Sequence, residues 1–306
     1  MSYRGQRIST KIPRYNYRML EPGHVMGGQT DEAEKQPARI IATLFLERQI
    51  PIDYKVLIER VGGVLGIGAT IGDDPRPDAP IVLPADGDLI IGMQMGFPYP
   101  ASLQGPAQFA YWWPSALSDL TRHKAHLMVS CPWSKHSRLD AHMRHLVLMR
   151  ELIEQLPVVG VLWGSSLVQT DLFKGEFANA TLNGEFPFSL WILIQFSRQP
   201  NGNNLISTLG MRDFERMEIE TESSLPLDQT IDLVRKFGSY IITSGAVVRD
   251  GDTFGLSETQ KITVRHTRSF RPDVNDPVYW IELTEQPTVR KPQGYFSNLF
   301  GSTSKQ

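Results

Sequence analysis

Apolar and polar positions along the 306-residue chain follow two rhythms, one of period two and one of three to four. Arg39 to Leu46 (RIIATLFL) is β-branched and apolar enough for an inner strand. Ile52 to Leu65 then carries Val56, Leu57, Val61 and Val64 at helical spacing behind Asp53, a candidate cap. Ile81 to Met95 holds two apolar runs split by Ala85-Asp86-Gly87-Asp88, the signal of a hairpin. Ala125 to Cys131 reads as a strand, and Ser137 opens the strongest helix of the chain, with Asp140 three residues on as its capping-box partner. Leu139, His142, Leu146, Met149, Ile153 and Leu156 keep the helical repeat until Pro157 stops it, and Val158 to Trp163 is the next strand.

The final third repeats the theme. Phe186 to Phe196 (FPFSLWILIQF) is about half the roughly 20 residues a membrane helix needs and is rich in β-formers, so it reads as a buried strand. Leu205 to Leu209 and Arg216 to Glu222 are further strands, Leu227 to Ile242 is a helix, and Gln260 to His266 and Val278 to Leu283 close the fold. Between the two thirds, Phe97 to Trp113 packs three prolines among six aromatics, the composition of an ordered crossing segment held by its rings. The expectation is an α+β protein with mixed or antiparallel sheets covered by about three main helices. Leu57–Gly62 (LIERVG) resembles Leu233–Gly238 (LVRKFG), each read as a helix ending at Gly and followed by a strand pair, which suggests two related halves. The expected organisation is a basic arm over 1–38, a body over 39–286 with halves at 39–123 and 124–286, and a tail over 287–306.

Charge changes this picture more than composition does. The chain carries 31 basic and 33 acidic side chains, a formal −2 that by itself names no partner. Residues 1–18 hold five bases and residues 287–306 three, with no acid in either, so residues 19–286 carry a formal −10. The single cysteine, Cys131, excludes an intramolecular disulfide, and the N-terminal residues contain no apolar run of the kind a secretory signal needs. A reducing, cytoplasmic setting is the expectation, with neither membrane nor nucleic acid as direct partner.

Catalytic chemistry is weakly nominated. Gly66-Ile67-Gly68 follows a helix rather than a strand and misses the spacing of a dinucleotide loop, so the glycines at 62, 63, 66, 68 and 72 read as turns and close packing. Five of the seven histidines fall between 123 and 145: His123, His126, His136, His142 and His145. A helix puts His142 and His145 on one face, and His126 on the preceding strand is in reach, yet no H-E-x-x-H pattern accompanies them. No metal or cofactor is called for. Cys131 lies before Pro132 at a strand end, not at a helix head where a reactive thiol is found, and reads as buried.

The most informative local pattern is acidic. In Met217–Glu222 the glutamates alternate, so a strand places Glu218, Glu220 and Glu222 in a row on one face, with Asp213 and Glu215 beside them. Asp73, Asp74, Asp78, Asp86 and Asp88 form a second cluster. Such a surface suits a basic partner, which long-range attraction steers in. Tyr111, Trp112 and Trp113 are of the types that anchor interfaces, and also of the types that fill cores.

From Ser207 to His266 the text Thr208-Leu209-Gly210-Met211-Arg212-Asp213-Phe214, Met217-Glu218-Ile219-Glu220, a helix led by Pro226, and Val248-Arg249-Asp250-Gly251-Asp252-Thr253 resembles a bacterial domain-of-unknown-function family, number 4261. The resemblance implies a non-enzymatic cytoplasmic immunity protein of the type VI secretion system. Such an antitoxin binds a nuclease effector and occludes its DNA-binding or catalytic surface; homo-oligomers are compatible with it. A nuclease is basic where it holds phosphates, so an acidic inhibitor fits physically. Two other readings stay open at this point: an adaptor or chaperone of the secretion system, and a hydrolase or transferase using the His123–His145 region.

Overall fold

The computed structural model describes residues 39–65, 81–85, 88–132, 137–255, 261–271 and 274–283. The expected arm and tail, the glycines at 66, 68 and 72, and His136 lie outside the described residues.

The chain begins with β1 (Arg39–Leu46), α1 (Tyr54–Leu65), β2 (Ile81–Ala85) and β3 (Asp88–Met95). A long crossing follows, with the short helices α2 (Gln104–Gln108) and α3 (Ala116–Leu120). Then come β4 (Ala125–Pro132), α4 (Arg138–Gln155), β5 (Val158–Trp163) and β6 (Ser166–Gln169). These strands form one sheet in the order β2-β3-β4-β1-β5-β6, every pair antiparallel. After α5 (Thr170–Leu182) and α6 (Phe188–Trp191), the chain makes β7 (Leu193–Arg198), β8 (Asn204–Leu209), β9 (Ile219–Ser223), α7 (Leu227–Thr243), β10 (Thr253–Gly255), β11 (Lys261–Arg268) and β12 (Pro277–Leu283). They form a second sheet in the order β10-β11-β12-β9-β8-β7, in which β12 and β9 are parallel. The protein is α+β with two mixed or antiparallel sheets.

Local sequence explains most elements. On β1, Ile40, Ala42, Leu44 and Leu46 are buried in the same cluster as Leu127, Val129 and Val161 of the neighbouring strands and Leu146, Met149, Leu152 and Ile153 of α4. Ser137 caps α4: its Oγ accepts the Asp140 N–H at 3.1 Å and donates to the Asp140 carboxylate at 2.7 Å. The helix ends at Gln155, two residues before Pro157. Side chains of both sheets and of α1, α4, α5, α6 and α7 belong to one continuous hydrophobic cluster.

Four points differ from expectation. Four long helices stand among the described residues where about three main ones are expected: α5 has a weak signal because its buried positions, Phe173, Glu176 and Ala180, make a stripe of only three residues with a glutamate in it. Phe186–Phe196 is not one strand; its first half is the buried turn of helix α6, which follows Pro187, and only Leu193 onward pairs with β8. The first sheet takes strands from 39 to 169 because β4 and β5 flank β1, so the division between sheets falls in 170–192 and not at 123/124. Finally, Gly62 and Gly238 do not end their helices but lie inside α1 and α7.

The crossing between β3 and β4 is ordered and held by its rings, as its composition requires. His126 Nδ1 lies 2.9 Å from the Phe97 carbonyl, and His123 Nε2 accepts the Tyr99 N–H at 3.0 Å. Trp113 is a core plug: an added Cβ on Gly160 would lie 2.6 Å from its indole. Trp112 Nε1 donates to the carbonyl of Leu167 on edge strand β6 at 3.1 Å. Tyr111 meets Phe196 on edge strand β7 edge-on at 5.8 Å. The Tyr111–Trp113 segment is therefore a strut joining the edges of the two sheets.

Candidate functional site

The acidic row at β9 does not face solvent. Glu218 is 2% exposed and Glu220 0% exposed. Leu209 and Gly210 turn the chain out of β8, with Gly210 at φ +124°, and this turn aims three donors at Glu218. Thr208 Oγ1 donates at 2.7 Å, the Gly210 N–H at 3.0 Å and the Met211 N–H at 3.4 Å. Thr208 in turn accepts the Ile219 N–H at 2.7 Å. Glycine is required at 210 for a second reason, since a Cβ there would lie 2.5 Å from the Trp191 carbonyl. The T-x-G turn and the first glutamate of the E-x-E strand thus form one closed carboxylate cradle.

Glu220 is held from the other side. The Ser269 hydroxyl donates to it at 2.5 Å and the Phe270 N–H at 3.0 Å, while Arg271 Nε stands 3.5 Å away. Arg271 reaches on to Gln195 of β7 at 3.1 Å, so a loop clasps the outer face of the second sheet. Glu222, half-buried, accepts from the side-chain amides of Asn201 at 2.7 Å and Asn203 at 2.8 Å, which hold its carboxyl below the usual carboxylate range. Glu215, at φ +59°, pairs with Arg138 at 3.2 Å. Arg138, the first residue of α4, also donates to the backbone carbonyls of Arg212 and Asp213. Only Asp213 and Glu215 of the five predicted acids are exposed. The expected open acidic strip is corrected to a set of internal clamps, because alternate carboxylates on a central strand each find dedicated donors. Of the second cluster, Asp73, Asp74, Asp78 and Asp86 lie outside the described residues and Asp88 begins β3.

The D-G-D-T turn is likewise structural. Asp250 Oδ1 accepts the His266 N–H at 2.8 Å, Asp252 Oδ2 accepts the Arg249 N–H at 2.7 Å, and Gly251 has φ +85°. Glu218, Glu220, Asp250 and Asp252 thus accept their hydrogen bonds from within the chain.

The histidines do not converge. His126 and His123 lie on the side of the first sheet that carries the aromatic crossing; His142 and His145 lie on the opposite side, in α4. His142 and His145 pack among Trp163, Trp191 and Phe214, where the halves meet. Burial pushes the His142 imidazole down to about 4 and that of His145 to about 3, so both are neutral near pH 7. Neither ring nitrogen of His145 has a hydrogen-bond partner among the described residues, nor does Nε1 of Trp163 or Trp191. No group of three or more metal-ligating side chains occurs among the described residues. Cys131 is buried in β4.

Near the strut, burial raises the Tyr111 phenol to about 12, and it also raises Glu176, against the opposing pull of Arg235 at 3.3 Å. A hollow of about 340 Å³ opens beside it, lined by Gln104, Ala107, Tyr111, Pro114 and Leu117 among others. No sequence signal marks the outer face of the first sheet, where Ile41, Met93 and Met128 are exposed by 46%, 44% and 36%. Their strands read as inner ones because β1 is apolar on both faces.

Residues 207–281 match the model of a family described as Domain of unknown function (DUF4261). The match runs from β8 to β12, through the Glu218 cradle, the Glu220 clasp and the Asp250 turn. No curated protein and no solved structure matches the chain. No helix among the described residues is long and apolar enough to cross a membrane.

Proposed function

We propose that this chain is an immunity protein, a non-enzymatic binder that occludes a nuclease effector of the type VI secretion system in the cytoplasm. The observation that carries the reading is the formal −10 of residues 19–286, of which the body over 39–286 holds −7. Glu218 and Glu220 are internal, so the exposed acids are others, among them Glu59, Asp140, Asp171 and Asp228. A basic nuclease is drawn to such a field from a distance, and the attraction falls as salt rises. The inhibitor then acts by covering the surface that would hold DNA. Packing of the histidines on opposite faces of the first sheet argues against the hydrolase alternative in its original form, since His126 cannot join His142 and His145.

Co-expression with the product of the adjacent gene tests the reading. Restored growth with a stable complex is the expected result, with association slowing as salt is raised. A complex that leaves the effector lethal would replace immunity with an adaptor or chaperone role, and absence of any complex would remove both.

A further inference from the structure

We propose that His123 is a proton-operated latch on the crossing between β3 and β4: its neutral imidazole holds Tyr99 against β1, and a second ring proton releases it. Both ring nitrogens are spent on backbone groups of fixed character. Nδ1 meets the Leu120 carbonyl, which can only accept, and Nε2 stands 3.0 Å from the Tyr99 N–H, which can only donate. The ring therefore carries its hydrogen on Nδ1 and keeps Nε2 bare. An imidazolium donates from both nitrogens, so protonation and the bond to Tyr99 exclude one another.

The crossing has no second amide to replace that bond. In Phe97-Pro98-Tyr99-Pro100 the prolines lack an N–H, so Tyr99 holds the one backbone donor between Phe97 and Ala101. Its ring lies edge-on to Phe45 of β1 at 5.6 Å and to His126 of β4 at 5.4 Å, and Phe45 meets the His123 ring at 5.3 Å. Phe45, 0% exposed, thus owes its cover to Tyr99 together with Trp113 and Leu120. His126 makes the contrast. Its Nδ1 donates to the Phe97 carbonyl at 2.9 Å, and that N–H is present in both charge states. A proton on His126 leaves its bond to the crossing in place, whereas one on His123 breaks the bond to Tyr99.

The charged groups around His123 are committed elsewhere. Glu47, just past the end of β1, pairs with Arg122 at 3.5 Å. Asp119 of α3 accepts from Trp113 Nε1 at 2.8 Å and from the Ser115 hydroxyl at 2.6 Å. The neighbours of His123 in the chain, Arg122 and Lys124, are cations, and the other titratable groups of the ring cluster are His126 and the Tyr99 phenol. None of these is an acceptor turned to a second ring N–H. Release frees Tyr99 from Phe45 and His126 and loosens the cover at this end of the first sheet, while the pairing of β1 with β4 remains.

Hydrogen exchange of the Tyr99 amide reads the latch, followed by NMR in the full chain labelled at its tyrosine nitrogens and corrected for the intrinsic pH dependence of exchange. Protection should fall about tenfold from about pH 7.5 to about pH 5.5, the range in which histidine gains its proton. Tyr279, whose N–H donates to the Glu218 carbonyl at 2.8 Å in the second sheet, reports unfolding of the whole chain. His123→Gln keeps an acceptor that cannot titrate, so it should make Tyr99 protection independent of pH while Tyr279 responds as in the parent. The ring-nitrogen shifts of His123 at about pH 7.5 should be those of the Nδ1–H tautomer. Tyr99 protection that does not change with pH in the parent, a pH response that survives His123→Gln, or an Nε2–H tautomer would each overturn the latch.

Discussion

The two sheets share a lateral order and differ in almost everything else. In each, one central strand is followed by a helix and then by three strands that return to pair beside it: β1, α1, β2, β3, β4 in the first and β9, α7, β10, β11, β12 in the second. Yet β4 is antiparallel to β1 whereas β12 is parallel to β9. Three strands joined by reversals keep their relative senses, so the difference lies in the crossing. Helix α7, 17 residues long, carries the chain back to the end at which β9 began, about 25 Å at helical rise. In the first sheet the chain re-enters from the end at which β1 finished. The likeness of Leu57–Gly62 to Leu233–Gly238 therefore marks two helices in equivalent places of the strand order, not two superimposable units.

The central strands differ in chemistry as well. β1 contributes Ile40, Ala42, Leu44 and Leu46 to a shape-filled core. β9 and its neighbours bury Glu218, Glu220, Thr208, Ser207, Thr221 and Ser223. One sheet is specified by volume, the other by hydrogen bonds whose loss strands a buried partner.

Replacing Glu218 breaks this contrast most severely. Glu218→Ala leaves the Thr208 hydroxyl and the N–H groups of Gly210 and Met211 without their acceptor, and should cost about 3–5 kcal/mol in denaturant unfolding. Glu218→Gln should recover part of it. A cost below that of an ordinary surface change would show that the cradle is not what fixes the β8–β9 turn.

Acid probes the junction between the sheets. The folded-state values of His142 and His145 are depressed, so their neutral packing is fully favourable above the unfolded value near 6.5. It is lost as pH falls toward 4, because the unfolded chain takes up protons first. Stability measured by thermal melting should fall by about 1.4 kcal/mol per pH unit for each histidine in that window. His145→Phe should remove one of the two contributions, without stranding any hydrogen-bond partner.

Glycine substitutions sharpen the comparison of the two helices with the smallest effects. A Cβ on Gly238 would lie 2.6 Å from the Phe188 ring, so Gly238→Ala should destabilise by about 1–3 kcal/mol. Gly63 in α1 has nothing within 4 Å, and Gly63→Ala should stabilise by about 0.5–1 kcal/mol. A cost at Gly63 equal to that at Gly238 would show that α1 is packed there as closely as α7.

The sequence determined the elements whose signals are local. The β1 boundaries, the β2–β3 hairpin, the Ser137–Asp140 cap and the α7 helix were all legible, since each rests on periodicity or on a hydrogen bond between residues close in the chain. Parallel pairing of β9 with β12 was not, because it joins residues some 60 positions apart and depends on which way α7 returns the chain. The acidic row shows the limit most clearly. Alternation put Glu218, Glu220 and Glu222 on one face, but whether that face meets water was decided by Gly210, Ser269 and Arg271. The exposure of Ile41, Met93 and Met128 was hidden for the converse reason: an apolar strand reads as covered, and only the tertiary structure shows where the aromatic crossing ends.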